Sequence, residues 1–220
     1  MKKVAVVLSG CGNRDGSEIH ESVITLLALD RAGVSYACFA PDADQPQVID
    51  HRTGERIDQK RNMLAEAARI ARGTIEPIGK LDMASFDGLA LPGGLGAAIG
   101  LSDFASRGSE CRVRPEVGRG VADAHLAGKP ILAICIAPAV LAKALVDAGV
   151  TGVRITIGDD RGTAAKVEAT GQVHVDCPVD GCVVDERHKA VTTPAYMLAS
   201  RVSEAAAGIE KAVAAFVRML

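Results

Sequence analysis

Three turns, each following a short apolar run, carry the residues best suited to chemistry. They read Ser9-Gly10-Cys11-Gly12, Pro92-Gly93-Gly94 and Cys135-Ile136-Ala137-Pro138. The third is the most suggestive, because a residue between a strand and a helix points into the crevice beyond the sheet. The helix start offers free N–H groups and the positive end of its dipole, which favour thiolate over thiol. We therefore predict a nucleophilic Cys135, against the alternative of an apolar core residue that ends a strand.

Two further groups are expected beside this thiol. The backbone N–H groups of Gly94 and Ile136 would form an oxyanion hole, because both turns aim at the same point. Glu18 and Glu21 lie in the first turns of the helix after the first run, and either could reach the crevice. A buried carboxylic acid with a raised pKa could hold the thiolate by a hydrogen bond. Glu18 could instead serve only the helix N-terminus.

The apolar pattern predicts the elements that position these turns. Continuous apolar runs bounded by Gly or Pro are typical of strands buried on both faces of a parallel sheet. The expected strands are residues 4–8, 34–40, 87–91, 130–134 and 154–157, with a strand pair at 183–185 and 190–193. The expected helices are 17–31, 63–72, a short one at 96–101, 115–128, 138–149 and about 196–220. Residues 41–62 read as a polar excursion with a short hairpin. Residues 1–220 thus form one doubly wound α/β domain.

Composition excludes several classes of function. The chain has 220 residues, of which 48% are hydrophobic and only 3% aromatic, and its formal net charge is −2. Few aromatics and no block of like charge disfavour nucleic-acid and membrane partners. The apolar run after Lys3 stops at Gly10, which is too short for a secretory signal peptide. We expect a cytoplasmic protein.

The six cysteines are scattered, so we expect free thiols in a reducing compartment. Cys11 lies in a strand-end turn and could line the pocket or form a disulfide with Cys135. Cys177, Cys182 and His174 could be read as a zinc site. The Cys spacing exceeds that of a zinc knuckle and no second pair accompanies it, so we expect no metal there.

Several motifs together resemble the PfpI/ThiJ superfamily, whose members are related to the class I glutamine amidotransferases. Within it the resemblance is strongest to the ElbB group, the isoprenoid-biosynthesis glyoxalases, also called enhancing lycopene biosynthesis proteins. The motifs are SGCG (9–12), DGSEIHE (15–21), RN (61–62), AARIARG (67–73), LPGG (91–94), GKP (128–130), CIAP (135–138), CPV (177–179) and TTPAYM (192–197). Their order and joint presence along nearly the whole chain make the resemblance specific.

The resemblance implies a flavodoxin-like fold, with a mostly parallel sheet and helices on both faces, and a homodimer. The family's nucleophilic cysteine matches Cys135, its acidic partner matches Glu21 rather than Glu18, and its oxyanion donors match Gly94 and Ile136. The implied activity is a lyase that needs no cofactor and converts glyoxal, a small dicarbonyl, to glycolate without glutathione. Protein deglycation is a related possibility.

One departure affects the expected mechanism. Many relatives carry a histidine near the thiol after the strand that corresponds to residues 154–157, whereas this chain has Gly158-Asp159-Asp160. His174 or His20 could replace it in space, although a lone histidine is more often structural. The proton-transfer base is therefore left open.

Two other functions compete with the glyoxalase interpretation. The turn Gly10-x-Gly12-x-x-x-Gly16 could belong to a dinucleotide-binding enzyme, but its spacing has one residue too many. Alternatively, Cys135 could be a redox sensor, or part of a chaperone-like stress protein, without significant turnover.

Overall fold

A seven-stranded sheet forms the centre of the molecule in the computed structural model, which describes residues 1–220. The strands of the structure are β1 (Lys3–Val7), β2 (Ser35–Ala40), β3 (Ile75–Pro77), β4 (Gly88–Leu91), β5 (Ile131–Ile134), β6 (Arg154–Ile155), β7 (Val173–His174), β8 (Val183–Asp185) and β9 (Ala190–Thr193). The main sheet has the order β3-β2-β1-β4-β5-β9-β8, and only β8 is antiparallel to its neighbour. This confirms the predicted α/β class with a mostly parallel sheet.

Helices cover both faces of this sheet. They are α1 (Ile19–Arg31), α2 (Met63–Ile70), α3 (Phe104–Arg107), α4 (Pro115–Leu126), α5 (Ala137–Asp147), α6 (Arg161–Glu168) and α7 (Val202–Val217). Strand side chains alternate between two cores: Val4 and Val6 pack with residues of α1, α2 and α7, whereas Ala5 and Val7 pack with residues of α4 and α5. Two buried faces explain why the strands read as continuous apolar runs rather than alternating ones.

The expected strand at 154–157 covers only Arg154–Ile155 and lies outside the main sheet, where it pairs with β7. Polar side chains explain this. Asp185 Oδ2 accepts from Arg154 N at 2.8 Å, and Thr192 Oγ1 accepts from Thr156 N at 2.9 Å. Backbone donors that would otherwise extend a ladder are therefore already bonded. The strands β3 and β7 and the helices α3 and α6 were not predicted.

Several boundaries also differ from expectation. The N-cap of α1 is Glu18 rather than Ser17, because the Ser17 hydroxyl accepts from Ser9 N at 2.8 Å instead. The predicted C-terminal helix begins only at Val202, after a separate 3₁₀ turn at Ala195–Met197. Residues 41–62 do form a short hairpin, with a bridge between Ile49 and Arg56. None of the helices combines the length and apolar character needed to cross a bilayer.

Candidate functional site

The three predicted turns meet at one edge of the sheet, because β1, β4 and β5 are adjacent and parallel. Backbone hydrogen bonds tie the segment that follows the first turn to the second turn and the residues just after it: Glu18 N donates to Gly93 O at 2.9 Å, and Gly96 N donates to Gly16 O at 2.9 Å. The third turn is tied to β9, since Cys135 N donates to Thr193 O at 2.9 Å. The carboxyl edge of the sheet thus carries the candidate site, as expected for an open parallel sheet.

Cys135 occupies a strained backbone position between β5 and α5. Its φ is +63°, in the left-handed region that L residues rarely adopt, and only 7% of the residue is exposed. Such a conformation costs about 1–3 kcal/mol and persists only where the surroundings enforce it. Here the turn lets the thiol stand at the start of α5, with Ile136 as the N-cap.

Glu21 is completely buried and lies beside this turn, close enough for its carboxyl group to act on the Cys135 thiol. Its Oε1 accepts from Tyr196 N at 3.1 Å, while Oε2 has no hydrogen-bond partner. Burial raises the pKa of Glu21 from 4.5 to about 7, and the nearby Glu18 adds to the increase. A Cβ on Gly93 would lie 2.5 Å from both Cys135 Cβ and Glu21 Oε2, so only glycine permits this approach.

Opposing influences act on the Cys135 thiol. Burial raises its pKa well above the ordinary value, and the Glu21 carboxylate raises it further. The backbone N–H groups of Gly94 and Ile136 act in the opposite direction and lower the pKa. The structure therefore brings together four of the residues expected from the sequence: a thiol, a buried carboxyl group and two N–H donors.

A pocket of about 530 Å³ opens beside the thiol. Its lining residues are Asn13, Glu18, His20, Gly94, Leu95, Cys135, Ile136, Tyr196 and Met197. Glu18 lines the pocket and also caps α1, because its Oε2 accepts from Glu21 N at 2.7 Å. Both roles considered for Glu18 from the sequence, a crevice carboxylate and a helix cap, are thus compatible with its position.

Two pocket residues form a hydrogen-bonded pair: His20, which the sequence offered as a replacement for the absent histidine, and Tyr196, to which the sequence assigned no role. His20 Nδ1 lies 2.8 Å from the Tyr196 hydroxyl and 3.9 Å from Glu18 Oε1. The signal available in the sequence was that Tyr196 follows β9. Because β9 is the neighbour of β5, this places Tyr196 at the same edge of the sheet as Cys135. Burial, with Glu18 and Glu21 nearby, raises the pKa of Tyr196, which keeps the phenol protonated at neutral pH.

Two expected pocket residues lie elsewhere. His174 is in β7, where its Nε2 accepts from Ile157 N at 3.3 Å and its Nδ1 lies 3.6 Å from Asp176 Oδ1. Its expected place in the pocket is therefore wrong, because the β6–β7 pair stands apart from the main sheet. Cys11 is half-buried and does not line the pocket; burial, then Glu66, raises the pKa of its thiol.

The geometry also bears on the alternative sites. No three His, Cys, Asp or Glu side chains are placed to hold a metal ion, and all six cysteines are free thiols. The glycine-rich turn after β1 closes on itself: Gly16 N donates to Gly12 O at 2.7 Å, and Gly12 N donates to Ser17 O at 2.8 Å. These N–H groups are already bonded, which disfavours a pyrophosphate cradle.

Comparisons with known proteins agree with the fold. No family model matches the chain. It is 44% identical over 205 residues to the human mitochondrial glutamine amidotransferase-like class 1 domain-containing protein 3, covering 89% of this chain and 75% of the relative. A crystal structure of an Ehrlichia chaffeensis isoprenoid biosynthesis protein with an amidotransferase-like domain is 38% identical, with a TM-score of 0.93 over 100% of this chain and 99% of that one. Drosophila melanogaster DJ-1beta, 20% identical with a TM-score of 0.54 over 99% of this chain and 95% of that one, shares the fold.

These relatives correct one expectation and establish the family. The human protein and the rat and zebrafish ES1 proteins are all named as mitochondrial, which contradicts the expected cytoplasmic location. That expectation rested on the short apolar run before Gly10, which argues only against secretion and does not separate cytoplasm from mitochondrion. The chain belongs to the glutamine amidotransferase-like class 1 family.

Proposed function

We propose that the protein is a glutathione-independent glyoxalase that converts glyoxal to glycolate through Cys135 and without an external cofactor. The observation that carries the proposal is the contact between a strained, buried thiol and the buried carboxyl group of Glu21, beside a pocket. Groups whose pKa values are perturbed by burial and by a specific neighbour are typical of reactive sites.

One proton shared by Glu21 and Cys135 explains how this thiol could react. Two negative charges in contact in a buried site are unfavourable, so the pair retains one proton near neutral pH. Glu21 Oε2 is the free oxygen of the pair. With the proton on Oε2, the carboxylic acid O–H can donate a hydrogen bond to the thiolate, and the N–H groups of Gly94 and Ile136 further stabilise this charge.

The proposed reaction uses this thiolate as a nucleophile. Sulfur attacks one aldehyde carbon of glyoxal, and the N–H groups of Gly94 and Ile136 stabilise the oxyanion that forms. Removal of the proton from this carbon gives an enediol, and protonation of the second carbon gives a glycolyl thioester. Water then releases glycolate and the thiol. The first carbon is oxidised and the second reduced, so no external oxidant is needed.

The pocket also supports larger dicarbonyls and glycated amines as substrates. Its volume of about 530 Å³ greatly exceeds that of glyoxal, and Leu95, Ile136 and Met197 supply apolar walls. The same thiolate could attack a glyoxal-modified lysine, which would make the protein a deglycase. Comparing glyoxal, methylglyoxal and a glycated peptide as substrates distinguishes these possibilities.

Glycolate formation from glyoxal tests the proposal. We expect Cys135→Ala to reduce it to the rate without enzyme, because no other thiol lines the pocket. The matched control is Cys182→Ala, which removes another half-buried thiol and should retain the wild-type rate. Activity of Cys135→Ala equal to that of the wild type would overturn the proposal.

A redox-sensing role would use the same thiol, because peroxide also reacts with the thiolate. Rapid formation of a sulfenic acid at low peroxide, with no turnover of dicarbonyls, would favour the redox-sensing role.

The homodimer also stays a prediction. One face of α1 exposes three apolar side chains that could form its interface: Ile19, Val23 and Leu27. Sedimentation equilibrium measures the oligomeric state.

A further inference from the structure

The proposed reaction requires a base that moves a proton between two carbons of the substrate. Four pocket-lining side chains can titrate: Glu18, His20, Cys135 and Tyr196. The thiol is the nucleophile, and a phenol with a raised pKa is a poor base. Glu18 is also a poor candidate for the base, because it is only 9% exposed and its Oε2 already accepts from the backbone N–H of Glu21.

His20 has the geometry of a base held in place. Its side chain is 51% exposed and lines the pocket, and its Nδ1 lies 2.8 Å from the Tyr196 hydroxyl. The Glu18 carboxylate, 3.9 Å from the same nitrogen, favours a proton on Nδ1, which then donates to the phenol oxygen. Nε2 has no hydrogen-bond partner in the protein, so this tautomer leaves its lone pair free for a substrate.

Tyr196 connects this histidine to the buried pair. Its hydroxyl holds the His20 ring, while its backbone N–H donates to Glu21 Oε1 at 3.1 Å. One residue therefore orients both a group in the pocket and the carboxyl group beneath the thiol. Because the second bond comes from the backbone, a change to the Tyr196 side chain can break the first bond and keep the second.

We propose that His20 is the catalytic base of the proton transfer and that Tyr196 is its positioning residue; this inference rests on the proposed glyoxalase function. Nε2 removes the proton from the carbon bonded to Cys135 Sγ, and the electrons of that C–H bond form the enediol double bond. The imidazolium then returns a proton to the second carbon. His20 ends unchanged and the product is the thioester, so atoms and electrons balance.

Glycolate formation by His20→Ala, measured alongside alkylation of Cys135 by iodoacetamide, tests the role of the histidine. We expect kcat to fall on the order of 10²-fold or more, as for loss of a general base. The alkylation rate should stay at the wild-type value, because the thiol and Glu21 are untouched. Added imidazole should restore part of kcat, since it can occupy the vacated space. Tyr196→Phe should lower kcat less, with KM unchanged.

Controls separate a chemical role from a structural one. His125→Ala removes a half-buried histidine that stacks on His188, outside the pocket, and should keep the wild-type rate. His20→Asn retains an amide that can bond to Tyr196 but has no base, so it should be as slow as His20→Ala. A wild-type kcat in either His20 variant would overturn the inference. So would a loss of kcat that imidazole does not restore and that is accompanied by slower alkylation of Cys135.

Reaction in D₂O separates failure of this inference from failure of the proposed function. Because His20 is half exposed, its imidazolium exchanges with solvent, and we expect one carbon-bound deuteron in the glycolate, measured by NMR. Glycolate without deuterium would indicate an internal hydride shift, which refutes the role of His20 and leaves the glyoxalase proposal standing. A wild-type protein that forms no glycolate refutes both.

Discussion

Replacing Glu21 with glutamine should change how the stability of the protein depends on pH. The native pKa of Glu21 is raised to about 7, against 4.5 for an ordinary glutamate. The native state therefore binds more protons than the unfolded chain between these two values, and its stability falls as pH rises through this window. Glutamine is neutral at every pH, so Glu21→Gln removes this pH-dependent loss.

The magnitude follows from the difference between the two pKa values. At about 1.36 kcal/mol for each tenfold change in proton affinity, ionising the buried Glu21 costs roughly 3 kcal/mol above pH 7. About 2.5 kcal/mol of this cost develops between pH 5 and pH 8. The side chain is completely buried, so solvent screening reduces the value little. Glutamine can still accept from Tyr196 N and can donate to the Cys135 sulfur.

Equilibrium unfolding in urea at pH 5 and pH 8 measures this effect. We expect the free energy of unfolding of Glu21→Gln, relative to wild type, to be higher at pH 8 than at pH 5 by about 2.5 kcal/mol. The comparison cancels any pH-independent effect of the substitution. Glu55→Gln, which neutralises an exposed carboxylate, is the control and should show no such change. If the free energy of unfolding of Glu21→Gln differs from that of wild type by the same amount at both pH values, the raised pKa assigned to the buried Glu21 is refuted.

Further substitutions test the packing of the site and the sheet. Gly93→Ala should abolish glycolate formation and lower the free energy of unfolding, because its Cβ would lie 2.5 Å from Cys135 Cβ and from Glu21 Oε2; activity and urea unfolding measure both effects. Phe216→Ala should cost about 3–5 kcal/mol in urea unfolding, because Phe216 is completely buried beside Gly88, and a cost below 1 kcal/mol would contradict this packing.

The sheet edge that carries the candidate site could be predicted because local pattern and topology agree. The runs at residues 4–8, 87–91 and 130–134 are apolar apart from Asp87 and end in Gly- or Cys-containing turns, which marks them as buried parallel strands. Their carboxyl ends then had to share an edge of the sheet. Cys135, Gly94 and Ile136 could be placed there because the position of each depends on its own turn.

The same reasoning could not place the histidines. His174 and His20 could not be ranked from the sequence, because each lies in a segment whose place depends on distant contacts. The β6–β7 pair leaves the main sheet through bonds to Asp185 and Thr192, about 30 residues away or more. That displacement removes His174 from the pocket.

The sequence by itself determined the fold class, the edge that carries the site and the central thiol, because these follow from apolar periodicity and from turns a few residues long. Only the tertiary structure decided the protonation chemistry of that edge. The pKa of Glu21 reflects complete burial beneath Tyr196 and Gly93, and His20 meets Tyr196 across 176 positions of the chain. Burial and long-range hydrogen bonds arise from packing of the whole domain, so they cannot be read from local spacing.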